Sequence, residues 1–254
     1  MLINDNLIKK QLEHKTIREF KRDAIPNNIV EQLFEVAKRT ATSTGIQASS
    51  IIRIREEGIK EKIAAVCKQE YVGRAPELFI FIVDQFRNNQ IAMEKGCTLN
   101  GAADLDRFFS AFTDACISAQ NMVVAAEAMN LGTVYLGSIL NDSEEICRIL
   151  KLPKLTFPVV GLGIGYSNQE PMLKPRMDMK YRIFENEYQV FDNYLEEFEE
   201  YDKEMQTYYD LRDANRNVDS FTNQIVARLS QEMPKRNEIL KVLKKQGFKL
   251  DSND

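Results

Sequence analysis

A single histidine, His14, serves the whole chain, and that scarcity removes most histidine-based chemistry at once. A Ser-His-Asp hydrolase would have to use His14 as its base, and no G-x-S-x-G elbow accompanies it. The four cysteines, Cys67, Cys97, Cys116 and Cys147, are widely spaced with no C-x-x-C pair, so neither a disulfide framework nor a structural zinc site has support. Long apolar runs are also missing. The longest, "LFIFIV" from Leu78 to Val83, is far too short to cross a bilayer, and "MLINDNLIKKQLEHK" lacks a hydrophobic signal core. The expectation is a cytoplasmic protein without a membrane partner. Nor does one sign of charge dominate: 34 Lys and Arg oppose 38 Asp and Glu, a net charge of -4. Nucleic acid is therefore not an expected partner, and any anion must be held by a local cluster.

What is present, over 254 residues with 44% hydrophobic content, is enough to bury a sizeable core. Behind Pro26, the residues Ile29, Val30, Leu33, Phe34 and Ala37 recur at helical spacing. A small polar segment, "ATSTGIQASS", then leads into "IIRIRE", which alternates like a strand. A helix over Gly58 to Lys68 precedes "LFIFIV", which reads as a fully buried strand. Asp104 to Asn130, free of proline and glycine and rich in small residues, reads as a long buried helix whose close neighbour lies within the domain or across a subunit boundary. "TVYLGS" follows as a short strand, and Asn141 with Glu144 three residues on reads as the cap of the next helix, which stops before Pro153. The glycines of "FPVVGLGIGYSNQEPMLKPR" do not make a dinucleotide-binding loop, because Pro171 and Pro175 forbid a helix there. They mark either close approach by a ligand or tight packing. Beyond about residue 192 an acidic, aromatic-bearing helical pattern and a final amphipathic helix, roughly Phe221 to Gln246, read as an arm on a single domain spanning 1–254.

Cations gather beside rigidifying residues in two places, "HKTIR" at His14 to Arg18 and "LKPR" at Leu173 to Arg176. Each alone is compatible with a solvated face. Together with "ATSTG", "KQEYV" and "YLGS", the chain resembles the flavin-dependent nitroreductase superfamily, in its branch of oxygen-insensitive, NADPH-dependent nitroreductases and flavin reductases. The resemblance covers nearly the whole chain. It implies an α+β fold with a largely antiparallel central sheet flanked by helices, a C-terminal helical excursion and an intertwined homodimer.

It also implies FMN as cofactor and NADPH as reductant. The FMN-binding residues carried over are His14, Lys15, Thr16 and Arg18; Thr42 and Ser43; Gln69 and Tyr71; Tyr135, Leu136, Gly137 and Ser138; and Lys174 and Arg176. The first group and the last would hold the phosphate, while Gly137 and Ser138 would lie near flavin N5. Ser138 stands where the family pattern has a second glycine. Arg212 and Arg216 would contact NADPH, the second shifted beside Asn217. The implied activity is ping-pong reduction of nitroaromatics, quinones or free flavin, with no protein catalytic base because the flavin carries the chemistry. A flavin-binding or sequestering protein with little turnover is the alternative.

Overall fold

The computed structural model describes residues 5–98, 100–208 and 218–250. Its described residues fall into two compact units: the chain up to Gln169 together with the stretch from Met233, and Glu170–Glu232 between them.

In the first unit, α1 (Asp5–Leu12) precedes the cationic segment, and α2 (Asn27–Lys38) follows it. Then come β1 (Ser49–Ile54), α3 (Glu57–Cys67), β2 (Glu77–Asp84), α4 (Gln85–Glu94), α5 (Leu105–Ala128), β3 (Gly132–Leu136), α6 (Ser143–Ile149) and β4 (Thr156–Gly165). The four strands form one antiparallel sheet in the order β1-β2-β4-β3. Between Phe81 and Ile82 the register with β4 slips, next to Pro158, which has no N–H to give a ladder.

Between Glu77 and Asp84 at its ends, β2 is apolar from Leu78 to Val83 because both its faces are covered. Phe79, Phe81 and Val83 pack with Val30 and Leu33 of α2 and with Ala111, Ala115, Ala119 and Met122 of α5. Leu78, Ile80 and Ile82 face Ile63 of α3, Ile146 of α6 and Ile139 in the turn before α6. The small residues of α5 thus let it lie close to the sheet, while Phe109 and Ile117 of the same helix remain exposed. The glycines of β4 serve packing too. A Cβ on Gly165 would lie 2.7 Å from the Phe20 ring and 2.8 Å from Pro76.

In the second unit an irregular stretch with one helical turn, Met179–Tyr181, leads to α7 (Tyr194–Glu197), α8 (Glu199–Gln206) and α9 (Phe221–Leu229). Tyr181, Phe198, Tyr201 and Phe221 link them through ring contacts of 4.5–5.6 Å. The final helix expected over Phe221–Gln246 is three pieces. α9 ends at Leu229, and after a break come α10 (Pro234–Asn237) and α11 (Ile239–Lys245). Pro234 cannot donate an internal helix bond and so opens a helix rather than continuing one. Val242, Leu243 and Phe248 bury themselves in the core of the first unit.

Candidate functional site

The cationic segment is fixed by its own backbone. Ile17 N–H donates to the Thr133 carbonyl at 2.9 Å, and Lys21 N–H to that of Tyr166 at 2.8 Å. Gln169 Oε1 accepts from the N–H groups of Arg18 (3.3 Å) and Glu19 (2.8 Å). Ile17 is buried and passes directly over Gly132, where a Cβ would lie 2.7–2.9 Å from three Ile17 side-chain atoms. The segment therefore lies along the sheet where β3 begins and β4 ends. His14, Lys15, Thr16 and Arg18 are each half-buried on it.

His14 Nδ1 lies 2.7 Å from Glu127 Oε1, which also accepts the Thr133 hydroxyl at 2.6 Å. With Nδ1 engaged on a carboxylate, the orientation of the ring is fixed. Glu127 was not foreseen. Its one sequence signal is that it is a lone acid in the small, apolar end of α5, "VVAAEAM".

A second group forms where β3 runs into the turn Gly137–Asp142. Ser138 Oγ donates to Gln69 Oε1 at 2.8 Å. It also bonds the buried Cys67 thiol, whose pKa burial pushes up and this bond draws back. The side chain that replaces a second glycine thus finds local partners. A Cβ added to Gly137 would meet nothing within 4 Å, so the space above this peptide is open. Asn141, expected as a helix cap, instead donates to the Val66 and Cys67 carbonyls, both at 3.3 Å. The cap is Asp142, which accepts from Glu145 N–H at 3.1 Å. Leu136 is buried and ends β3, and the half-buried Tyr71 lies in the turn after Gln69. The Tyr135 hydroxyl donates to Gln120 Oε1 at 3.1 Å, and burial pushes its pKa up.

Thr42 and Ser43 lie elsewhere. Ser43 N–H donates to Asp114 Oδ1 at 2.8 Å, and Thr42 lines a cavity of about 270 Å³ with Gln47, Ser50, Asp114 and Ser118. Asp114 anchors this loop near the middle of α5, whereas Glu127 anchors His14 at its end. At 1.5 Å per residue the two anchors are roughly 20 Å apart along the helix.

In the second unit, Lys174 and Arg176 line a cavity of about 400 Å³ whose walls include Tyr201, Phe221, Arg182 and Arg228. Burial raises the pKa of Tyr201, and the charge of Arg176 opposes that rise. Arg182 and Arg228 were not foreseen from the sequence. Arg212 and Arg216 lie outside the described residues. Among the described residues no group of three His, Cys, Asp or Glu side chains could hold a metal, and no helix is long and apolar enough to cross a membrane.

An antiparallel β1-β2-β4-β3 sheet between helical layers, with a pinned basic segment and a glycine turn at its margin, defines an α+β protein of nitroreductase-like fold. Comparison with known proteins carries this further. The Nitroreductase family matches residues 12–166, and the Nitroreductase family C-terminal domain matches residues 174–251. The chain belongs to the nitroreductase family. It is 34% identical over 247 residues to an NADPH-dependent oxidoreductase of Staphylococcus saprophyticus, covering 96% of each chain. Among solved structures, B. megaterium NfrA1 superposes with a TM-score of 0.88 at 32% identity, over 95% of this chain and 98% of that one. The NADPH:FMN oxidoreductase from Vibrio harveyi, complexed with NAD+, gives 0.84 at 28% identity, over 96% and 98%.

Proposed function

We propose that this chain is an FMN-containing, NADPH-dependent oxidoreductase that passes reducing equivalents to a small acceptor such as a nitroaromatic, a quinone or free flavin. The observation that carries the reading is the fixed segment His14–Arg18, whose imidazole, ammonium, hydroxyl and guanidinium groups are presented from a backbone locked to β3. Those donors suit a phosphate dianion, since charge-assisted bonds are stronger than neutral ones and a rigid frame spares the entropy of assembling them. Lys174 and Arg176 offer the same chemistry from the second unit. The open space over Gly137 suits a flat ring, and Gln69, held by Ser138, would orient its polar edge. The residues present therefore fit FMN. Bound FMN would supply the hydride-accepting and electron-donating centre.

The protein's own part is to hold the phosphate, fix the plane of the ring and leave one face open. With one face serving reductant and acceptor in turn, ping-pong kinetics are expected. The roughly 20 Å between the Thr42–Ser43 loop and the His14 cluster supports a site completed by a second copy of the chain, with that loop contributed across the dimer.

Purification followed by an absorbance scan tests the reading. A yellow protein that bleaches with NADPH and recovers its colour on addition of a nitroaromatic or quinone is expected. A colourless protein that FMN cannot reconstitute refutes it, and one that keeps FMN without consuming NADPH is a sequestering protein instead. A sedimentation mass of one chain in the yellow protein refutes the shared site.

A further inference from the structure

The stretch from Met233 belongs to the first unit and lays two cations on the turn after β3 and a third on α6. Lys235 lies 3.4 Å from Asp142, and Lys245 2.6 Å from Glu144. Both are exposed pairs of the kind that contribute little. Arg236 is different. It is half-buried, and no carboxylate pairs with it among the described residues. Its Nη2 donates to the Gly137 carbonyl, and its Nε to Asn141 Oδ1 at 3.2 Å. Asn141 in turn holds the Val66 and Cys67 carbonyls, two residues before Gln69. One guanidinium thus fixes the Gly137 turn and, through Asn141, the chain that carries Gln69.

A cation on a carbonyl oxygen does more than hold it. It draws electron density along the peptide, so the N–H of the same unit, that of Ser138, becomes a stronger donor, as linked hydrogen bonds polarise one another. Because no carboxylate among the described residues pairs with Arg236, its charge adds to the field over the open space at Gly137. Resting on the reading that FMN binds there, we propose that Arg236 is a positioning residue which, through the Gly137–Ser138 peptide, favours the reduced, electron-rich flavin over the oxidised one.

The test is the midpoint potential of FMN in the holoprotein, together with its dissociation constant in each redox state, for wild type, Arg236→Lys, Arg236→Gln and Arg236→Ala. Arg236→Ala is expected to weaken reduced flavin about tenfold more than oxidised flavin, which for a two-electron couple lowers the potential by about 30 mV. Lys should restore part of the shift. Gln, which keeps a donor but loses the charge, should behave like Ala, and it carries the test if the Ala variant does not retain flavin. Equal losses in both redox states, or an unchanged potential in Arg236→Gln, would overturn the proposal and leave Arg236 a structural clamp. A wild-type protein that takes up no FMN sinks the functional reading itself, whereas a yellow, active wild type with variants of unchanged potential sinks only this inference.

Discussion

Gly132 should tolerate no side chain, and the reason is a distance. A Cβ there would lie 2.7, 2.8 and 2.9 Å from Ile17 Cγ1, Cβ and Cγ2. Ordinary carbon contacts are about 3.5–4.0 Å, so Gly132→Ala forces a displacement of close to 1 Å. Rotating Ile17 cannot supply it, because its Cβ is itself too close. The backbone has to move, and with it the bond from Ile17 N–H to Thr133 that aligns the basic segment. Overpacking of this kind typically costs about 1–3 kcal/mol. A displaced segment also misaligns His14 and Arg18, so FMN should be held at least tenfold more weakly, the equivalent of about 1.4 kcal/mol. Denaturant unfolding of the apoprotein and fluorescence titration with FMN measure the two effects separately. Ile17→Ala in the Gly132→Ala background should recover only part of each, because the 2.8 Å contact with Cβ survives, and the double-mutant cycle should show that the two sites are coupled. Gly132→Ala with unchanged stability and unchanged FMN affinity would refute the claim that this crossing positions the segment.

Three further outcomes follow from the same structure. Arg176→Ala should weaken FMN at least tenfold, through the 1.5–3 kcal/mol expected of a bond to a charged group, while leaving riboflavin, which lacks the phosphate, nearly unaffected; titration with both ligands checks it. The Arg212→Ala, Arg216→Ala double variant should stay yellow and raise KM for NADPH far more than for NADH, and an unchanged coenzyme preference in steady-state kinetics would remove both arginines from NADPH recognition. Burial holds the Cys147 thiol up at about 12, from an ordinary 9.0. A thiol whose folded pKa is raised stabilises the fold below its unfolded pKa, and that contribution fades between about pH 9 and 12 as only the unfolded chain ionises. Denaturation midpoints across that window should fall more steeply for wild type than for Cys147→Ala.

The parts of the fold that could be read in the sequence are those where a local pattern has one physical solution. "LFIFIV" is apolar at every position because α2 and α5 cover one face of β2 and α3 and α6 the other. The spacing of Val30, Leu33 and Ala37 admits only a helix with one buried face. Where two local solutions compete, contacts from far along the chain decide. Asn141 with Glu144 and Asp142 with Glu145 are equally good capping pairs by spacing. The carbonyls of α3 and the guanidinium of Arg236 engage Asn141, which leaves the cap to Asp142. Likewise the apolar periodicity from Phe221 to Gln246 ignores Pro234, yet the missing N–H breaks the run and lets α11 bury Val242 and Leu243 in the first unit.

The site divides the same way. The basic residues from His14 to Arg18 are contiguous, so their shared chemistry is visible without a structure. The groups that orient them are not contiguous, and their partners are invisible to spacing. Glu127 meets His14 across 113 positions, and Arg236 meets Gly137 across 99, through a backbone carbonyl that has no sequence signature at all. Ser138 shows why that matters. As a substitution for glycine it reads as an intruding side chain, yet its hydroxyl bonds Gln69 and Cys67, while Gly137 beside it keeps the space clear. The turn therefore keeps an opening at Gly137 and uses the added hydroxyl to fix Gln69, so the departure from glycine fills no space there and adds a bond instead.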